Sequence, residues 1–411
     1  MQKTSLALNN LRGYAIIIVV AFHSCIAYIA NQPTANAAFN APPFDWLAHP
    51  IVDSDRFVGF DLFCALQFLY MMQLMFFLSG LFVWSSLRRK GPGQFLWDRF
   101  LRLGLPFLIG VYLLMPFAYY PVYRVTAADP SWSQYFAHFY ALPFTPTGPL
   151  WFLSFAFALN IFCAALYWLA PRTGEVLTRL STKAADHPLG FCLVLAAATG
   201  LAYIPVASVT TPWQWITFGP IAFQSGFASQ YAIYFFAGMV IGAVPLDRGV
   251  LRSDGPLAQR WGRWVVGALA AFVLWIVPTA LSVQGPGTTL PALPIAADFG
   301  VVLYAAAACL ALAAIFLRFA AVRRPIFEGV AENAYGIYLF HYFFVMWLQY
   351  ALLHVSVPGV VKGAVVFGGT LVLSWGLSVA VCRTWIGNRL IGGRRVEASG
   401  RRRAESKQPA E

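Results

Sequence analysis

The chain has 411 residues, of which 59% are hydrophobic and 11% charged, and it carries a formal net charge of +12 at pH 7. Apolar runs of about 20 residues recur along its length, which marks an all-α polytopic membrane protein and excludes a soluble globular domain. The alternating segments of a transmembrane barrel are absent. Six cysteines (25, 64, 163, 192, 309 and 382) stand singly in apolar runs, so they are expected as small buried side chains, with no disulfide framework and no metal site.

In chain order the apolar pattern predicts about ten transmembrane helices, at 11–30, 59–86, 101–121, 149–170, 189–209, 228–245, 264–283, 297–317, 330–350 and 361–382. The first run could pass for a secretory signal. It contains His23, exceeds signal length and has bulky Tyr28 near its end, so it is expected to stay as a span. With a cytoplasmic N-terminus, 25 of the 28 Lys and Arg fall inside, including Arg324 and eight basic residues from Arg383 onward. Only Arg56, Arg124 and Lys362 fall outside. That asymmetry predicts both termini in the cytoplasm. It also explains the net charge without a nucleic-acid partner.

Residues 1–385 read as one ten-span membrane domain. Residues 386–411, with seven basic and three acidic residues, read as a disordered cytoplasmic tail suited to anionic lipid. The longest outer connection, 31–58, carries Asp45, Asp53 and Asp55; another, 205–227, carries Trp213 and Trp215. No fixed-period repeat and no matched pair of broken helices is visible.

Three constellations stand out. On span 1, Arg12 and His23 are eleven positions apart, which returns them to one helix face roughly 16 Å apart along the axis. Arg12 is expected at a membrane border and His23 near the bilayer centre. An imidazole at that depth is either a functional group or a hydrogen-bonding link between helices. At the start of span 3, Arg99 and Arg102 lie three residues apart beside Asp98. With Arg12, Arg88, Arg89 and Lys90 they form a cationic inner rim. Arg88, Arg89 and Lys90 fit topology anchoring; the forks of Arg99 and Arg102 also suit phosphates.

The third constellation is Glu332-Asn333-Ala334-Tyr335-Gly336-Ile337-Tyr338-Leu339-Phe340-His341 on span 9. Counted from an inner border near Glu328, His341 lies about 18 Å in, close to the depth of His23. Tyr338, one turn earlier, is placed to orient it. Two histidines at one depth imply a shared polar pocket. Gln67, Gln73 and Asn160 also fall in spans and could line it, although interhelical bonding explains all three amides. Glu332 and Asn333 lie near the inner rim, where Glu332 could pair with an arginine.

These residues resemble the membrane acyltransferase 3 family. Arg12 and His23 match its Arg-x10-His hallmark, and Arg99 and Arg102 its Arg-x-x-Arg motif at the third span. Met75–Gly80 is similar to its FFLSG segment, and Leu150-Trp151-Phe152-Leu153 and Tyr338–His341 resemble further family segments in the expected order. The resemblance covers about residues 5–385, without the fused extracytoplasmic esterase-like domain of some members.

The resemblance implies acyl transfer from cytoplasmic acyl-CoA, a co-substrate with no bound cofactor, to a hydroxyl on an extracytoplasmic glycan or related envelope acceptor. It implies a place in the bacterial inner membrane. The compact outline and Asp61 on span 2 are similar to glucan-modifying succinyltransferases. Within this frame His23 supplies a base near neutrality. Arg12, Arg99 and Arg102 supply a phosphate site. His341 or Tyr338 is a candidate oxyanion stabiliser, and direct attack or an acyl-histidine intermediate both remain open. The alternative is a transporter or flippase for a glycan precursor or small anion. The scarcity of intramembrane carboxylates (Asp61, Asp298 and Glu332) speaks against a proton-coupled one.

Reporter fusions near residues 40, 130, 215, 290 and 355 are expected to read the outer side. A cytoplasmic signal from two or more of them breaks the topology.

Overall fold

A computed structural model describes residues 3–210, 214–283, 292–323 and 325–392. Trp213, Arg324, the side chain of Glu328 and the tail from residue 393 lie outside the described residues. The first half comprises α1 (Lys3–Cys25), α2 (Val58–Gly80), α3 (Val83–Arg99), α4 (Leu105–Ile109), α5 (Met115–Thr126), α6 (Trp132–Ala141), α7 (Trp151–Leu169), α8 (Thr173–Asp186) and α9 (Pro188–Val209). A two-stranded antiparallel hairpin follows, β1 (Trp215–Phe218) and β2 (Ile221–Gln224). The second half comprises α10 (Ala228–Ile241), α11 (Pro256–Gln259), α12 (Trp261–Val283), α13 (Ala292–Phe319), α14 (Pro325–Leu352), α15 (Gly359–Cys382) and α16 (Trp385–Leu390).

The protein is an all-α polytopic membrane protein, because a bilayer leaves helices as the only open-chain way to satisfy every backbone group. Among the described residues, eight helical segments are long and apolar enough to cross a membrane. The 14-residue apolar helix α10 and the 28-residue α14 stand where the sixth and ninth spans are expected. The hairpin at 215–224 is a departure from the expected plain loop; Gly219, at φ 55°, turns it. A second departure is α16, which carries ordered structure past residue 386. Thr384 Oγ1 caps that helix by accepting from Gly387 N at 3.0 Å.

The third span is not the simple helix expected from residue 101. The chain breaks from helical geometry at Gly91 (φ 73°, ψ 165°), just before Pro92, and Lys90 pairs with Asp98 across the break. From Pro92 onward α3, α4 and α5 are joined into one rod by π-helical turns at Phe100–Gly104 and Gly110–Leu114. Each wide turn ends two residues before a proline, Pro106 and Pro116. A proline lacks the N–H that the carbonyl four residues back would use, and its ring crowds that carbonyl. Widening the turn relieves the crowding. Neither π-turn is visible in the hydropathy pattern.

α1 starts eight residues before the predicted span. Asn10 Nδ2 donates to the carbonyls of Ala320 (2.7 Å) and Val322 (3.1 Å), just past the end of α13. The first residues of α1 therefore reach beyond α13, and Arg12 lies about 3 Å above that level by helix rise. α2 and α10 pack backbone to backbone. A Cβ at Gly80 would lie 2.0 Å from the Phe235 carbonyl, and at Gly238 and Gly242 within 2.0 and 1.8 Å of the carbonyls of Phe77 and Leu81. Small residues at such crossings let helices associate where no hydrophobic gain separates protein from lipid. All six cysteines are free; five are buried and Cys382 is half-buried.

Gly238→Ala is expected to lower the thermal stability of the detergent-solubilised protein, by about 1–3 kcal/mol, the usual penalty for overpacking. Gly267→Ala, where a new Cβ meets nothing within 4 Å, serves as the control. Equal melting temperatures for the two variants would contradict the packing described.

Candidate active site

The two histidines meet. His23 lies in the last turn of α1 and is half-buried; His341 on α14 is fully buried. Their ring centroids are 5.1 Å apart, and His341 Nε2 is 3.4 Å from His23 Nδ1. Backbone carbonyls fix the tautomers, because a carbonyl only accepts. His341 Nδ1 is 2.6 Å from the Tyr338 carbonyl, so Nδ1 carries the proton and Nε2 presents a lone pair. His23 Nδ1 is 2.8 Å from the Val19 carbonyl and also carries its proton, shared with His341 Nε2. His23 Nε2 is left as the basic nitrogen, and among the described residues no hydrogen-bond partner occupies it.

Tyr338 orients His341 through its backbone carbonyl rather than through its phenol. The phenol donates instead to the Pro149 carbonyl ahead of α7. Gly148, at φ 49°, lies against the Tyr342 ring, where a Cβ would come within 3.0 Å. Tyr342 in turn meets His23 edge-on at 5.6 Å, and its hydroxyl reaches that of Tyr119 at 3.5 Å. The Gly148–Phe152 segment thus packs against Tyr338 and Tyr342, the tyrosines that flank the histidine pair.

The arginines gather about three helical turns before the histidine pair along α1. The Arg12 guanidinium lies 5.7 Å over the Phe82 ring, and that of Arg99 5.1 Å over Phe95. Arg99 is close enough to feel the charges of Arg12, Arg102 and Asp98. Arg12 and Arg102 are exposed and Arg99 half-buried. Among the described residues none of the three forms an ion pair, whereas Lys90 is engaged with Asp98. Three guanidiniums without ion-pair partners among the described residues have the chemistry that suits a polyanion.

The amides take other places. Gln73 is fully buried and donates to Gln230 at 3.2 Å across the α2–α10 crossing. Asn160 is fully buried and donates to Ala156 O on its own helix at 2.6 Å. Gln67 accepts from Tyr70. Asn333 bridges α14 and α15 by accepting from Ser378 Oγ at 3.2 Å. Glu332 is exposed near the start of α14.

Gln349 carried no sequence signal, and Asp53, Asp55, Asp61, Arg56 and Lys362 stood out only as isolated charges. Gln349 Nε2 donates to the His23 carbonyl at 2.9 Å. Lys362, fully buried at the start of α15, pairs with Asp53 and Asp55, each at 2.8 Å. Asp61 accepts from the backbone N–H groups of Ala30 (2.7 Å) and Asn31 (2.8 Å). Arg56 donates to the carbonyls of Ala30 (3.1 Å), Gln32 (3.1 Å) and Pro33 (2.6 Å). The connection leaving the His23 end of α1 is therefore clamped by charge.

A family profile described as an acyltransferase domain matches residues 5–379 of the chain. The protein is thus a membrane acyltransferase, and it belongs to the acyltransferase 3 family. No curated protein and no solved structure matches it.

With acyl-CoA offered as the donor, Arg99→Ala and Arg102→Ala are each expected to weaken its use by roughly ten- to hundredfold if the arginines hold its phosphates, the loss of a charge-assisted contact of about 1.5–3 kcal/mol. Lysine at either position should rescue only in part, since it lacks the planar fork. Unchanged donor kinetics in the double alanine variant would reduce the pair to topology anchors.

Proposed function

We propose that this protein is an O-acyltransferase of the bacterial inner membrane, with both termini cytoplasmic. It moves an acyl group from cytoplasmic acyl-CoA to a hydroxyl of an extracytoplasmic glycan or related envelope acceptor. The observation that carries the reading is the His23–His341 pair at 3.4 Å, with His23 Nε2 open, on the same helix as the Arg12 end of the cationic cluster. By helix rise the two ends are roughly 16 Å apart, a span that the pantetheine arm of coenzyme A can bridge. The phosphates would then rest on Arg12, Arg99 and Arg102 while the thioester reaches His23.

In this mechanism His23 Nε2 takes the proton from the acceptor hydroxyl as its oxygen attacks the thioester carbonyl. The tetrahedral intermediate collapses, the carbon–sulfur bond breaks, and the departing thiolate receives the proton from His23. His341 keeps Nδ1 committed to the Tyr338 carbonyl, so its Nε2 lone pair faces the Nδ1–H of the transient His23 imidazolium. The imidazolium is thereby oriented and stabilised, much as a carboxylate serves in a catalytic triad. The surrounding helices exclude water that would otherwise hydrolyse the thioester.

His23→Gln is the discriminating variant. Glutamine can still bridge helices but cannot take a proton, so acyl transfer is expected to vanish while the membrane yield stays normal. His341→Gln should impair turnover less. Initial CoA release at equal protein level measures both; full activity in His23→Gln would remove the base assignment.

A further inference from the structure

The α-helix of α1 ends at Cys25 and passes into a 3-10 turn at Ile26–Tyr28. His23 and Ser24 are therefore among the last residues of the helix, where carbonyls lack ladder partners. Inside a membrane protein such carbonyls must find another donor. Gln349, fully buried on α14, supplies it: Nε2 lies 2.9 Å from the His23 carbonyl and 3.4 Å from that of Ser24. Because both partners only accept, the amide must present its NH2 group to them. Among the described residues its Oε1 is buried with no partner, so the side chain's hydrogen bonds are those to the two carbonyls.

Gln349 follows His341 by eight residues on the same helix. One helix thus grips His23 twice, at the ring through His341 and at the backbone through Gln349. We infer that Gln349 is a positioning residue for the reaction: by capping the His23 and Ser24 carbonyls it fixes the end of α1 and so sets the direction of His23 Nε2. This inference rests on the reading of His23 as the base. Without the amide, the last turn of α1 can rewind to satisfy its own carbonyls, and the imidazole moves with it.

The test compares Gln349→Met and Gln349→Leu with His23→Gln and with Gln230→Leu, which removes a buried amide at the α2–α10 crossing. Inverted membrane vesicles are supplied with acetyl-CoA or succinyl-CoA, and CoA release is followed. In parallel, the rate at which diethyl pyrocarbonate modifies His23 is read by peptide mass spectrometry, which reports the imidazole independently of turnover. Gln349→Met is expected to lower kcat by roughly ten- to hundredfold, as a misplaced catalytic group does. KM for the donor should stay within about twofold, because the phosphate site is untouched. The His23 modification rate should change as well, and Gln230→Leu should alter neither quantity. If one Gln349 variant fails to fold, the other carries the measurement. Unchanged kcat and unchanged His23 modification in a folded Gln349 variant, with His23→Gln inactive, overturn the positioning role alone. Altered modification with a fully active His23→Gln overturns the base assignment instead.

Discussion

A backbone carbonyl inside a membrane protein has no water to turn to, and the donors on α14 answer that constraint at four places. Pro106 removes the N–H that would serve the Arg102 carbonyl in an α-helix, and Tyr335 donates to Arg102 O. Pro121 does the same to Phe117, and Trp347 Nε1 donates to Phe117 O at 3.1 Å. Tyr338 donates to Pro149 O, and Gln349 to the carbonyls at the end of α1. The helix that carries His341 is thus bonded to the third-span rod, the start of α7 and α1. Its depth and rotation follow from those bonds, and the histidine contact follows from its depth and rotation.

The same arrangement separates two kinds of chemistry along α1. Arg12 lies two residues past Asn10, where α1 meets the end of α13, and among the described residues Arg12, Arg99 and Arg102 form no ion pair. The histidine pair sits at the other end of α1, enclosed by Tyr338, Tyr342 and Gly148. On the proposed mechanism, positive charge for donor binding and an imidazole for proton transfer are thereby kept apart. A guanidinium beside His23 would oppose the imidazolium that this mechanism needs.

Much of this was legible in the chain. The eleven-residue spacing of Arg12 and His23 and the depth of His341 follow from helix rise, and the two rings meet as matched depths require. The six cysteines read correctly as small apolar residues. What escaped depends on partners distant in sequence. Gln349 looks like any intramembrane amide until α1 is seen to end beside it. The π-turns come from Pro106 and Pro116, a backbone effect that hydropathy does not register. The three cations that broke the charge asymmetry each have a private engagement. Arg56 holds carbonyls, Lys362 holds two aspartates, and Arg124 lies over the rings of Tyr120 (5.8 Å) and Tyr350 (5.6 Å).

The Lys362 cluster also constrains how the molecule is made. Asp53 and Asp55 belong to the connection that follows α1, whereas their cation arrives with α15, some three hundred residues later. A buried carboxylate without its counter-ion is costly to hold in place. The Lys362 arm of the clamp on the His23 end of α1 therefore closes only when α15 inserts, after the Asp61 and Arg56 contacts have had their partners available. A chain interrupted before that point has both histidines and both aspartates but lacks the cation that joins the two carboxylates.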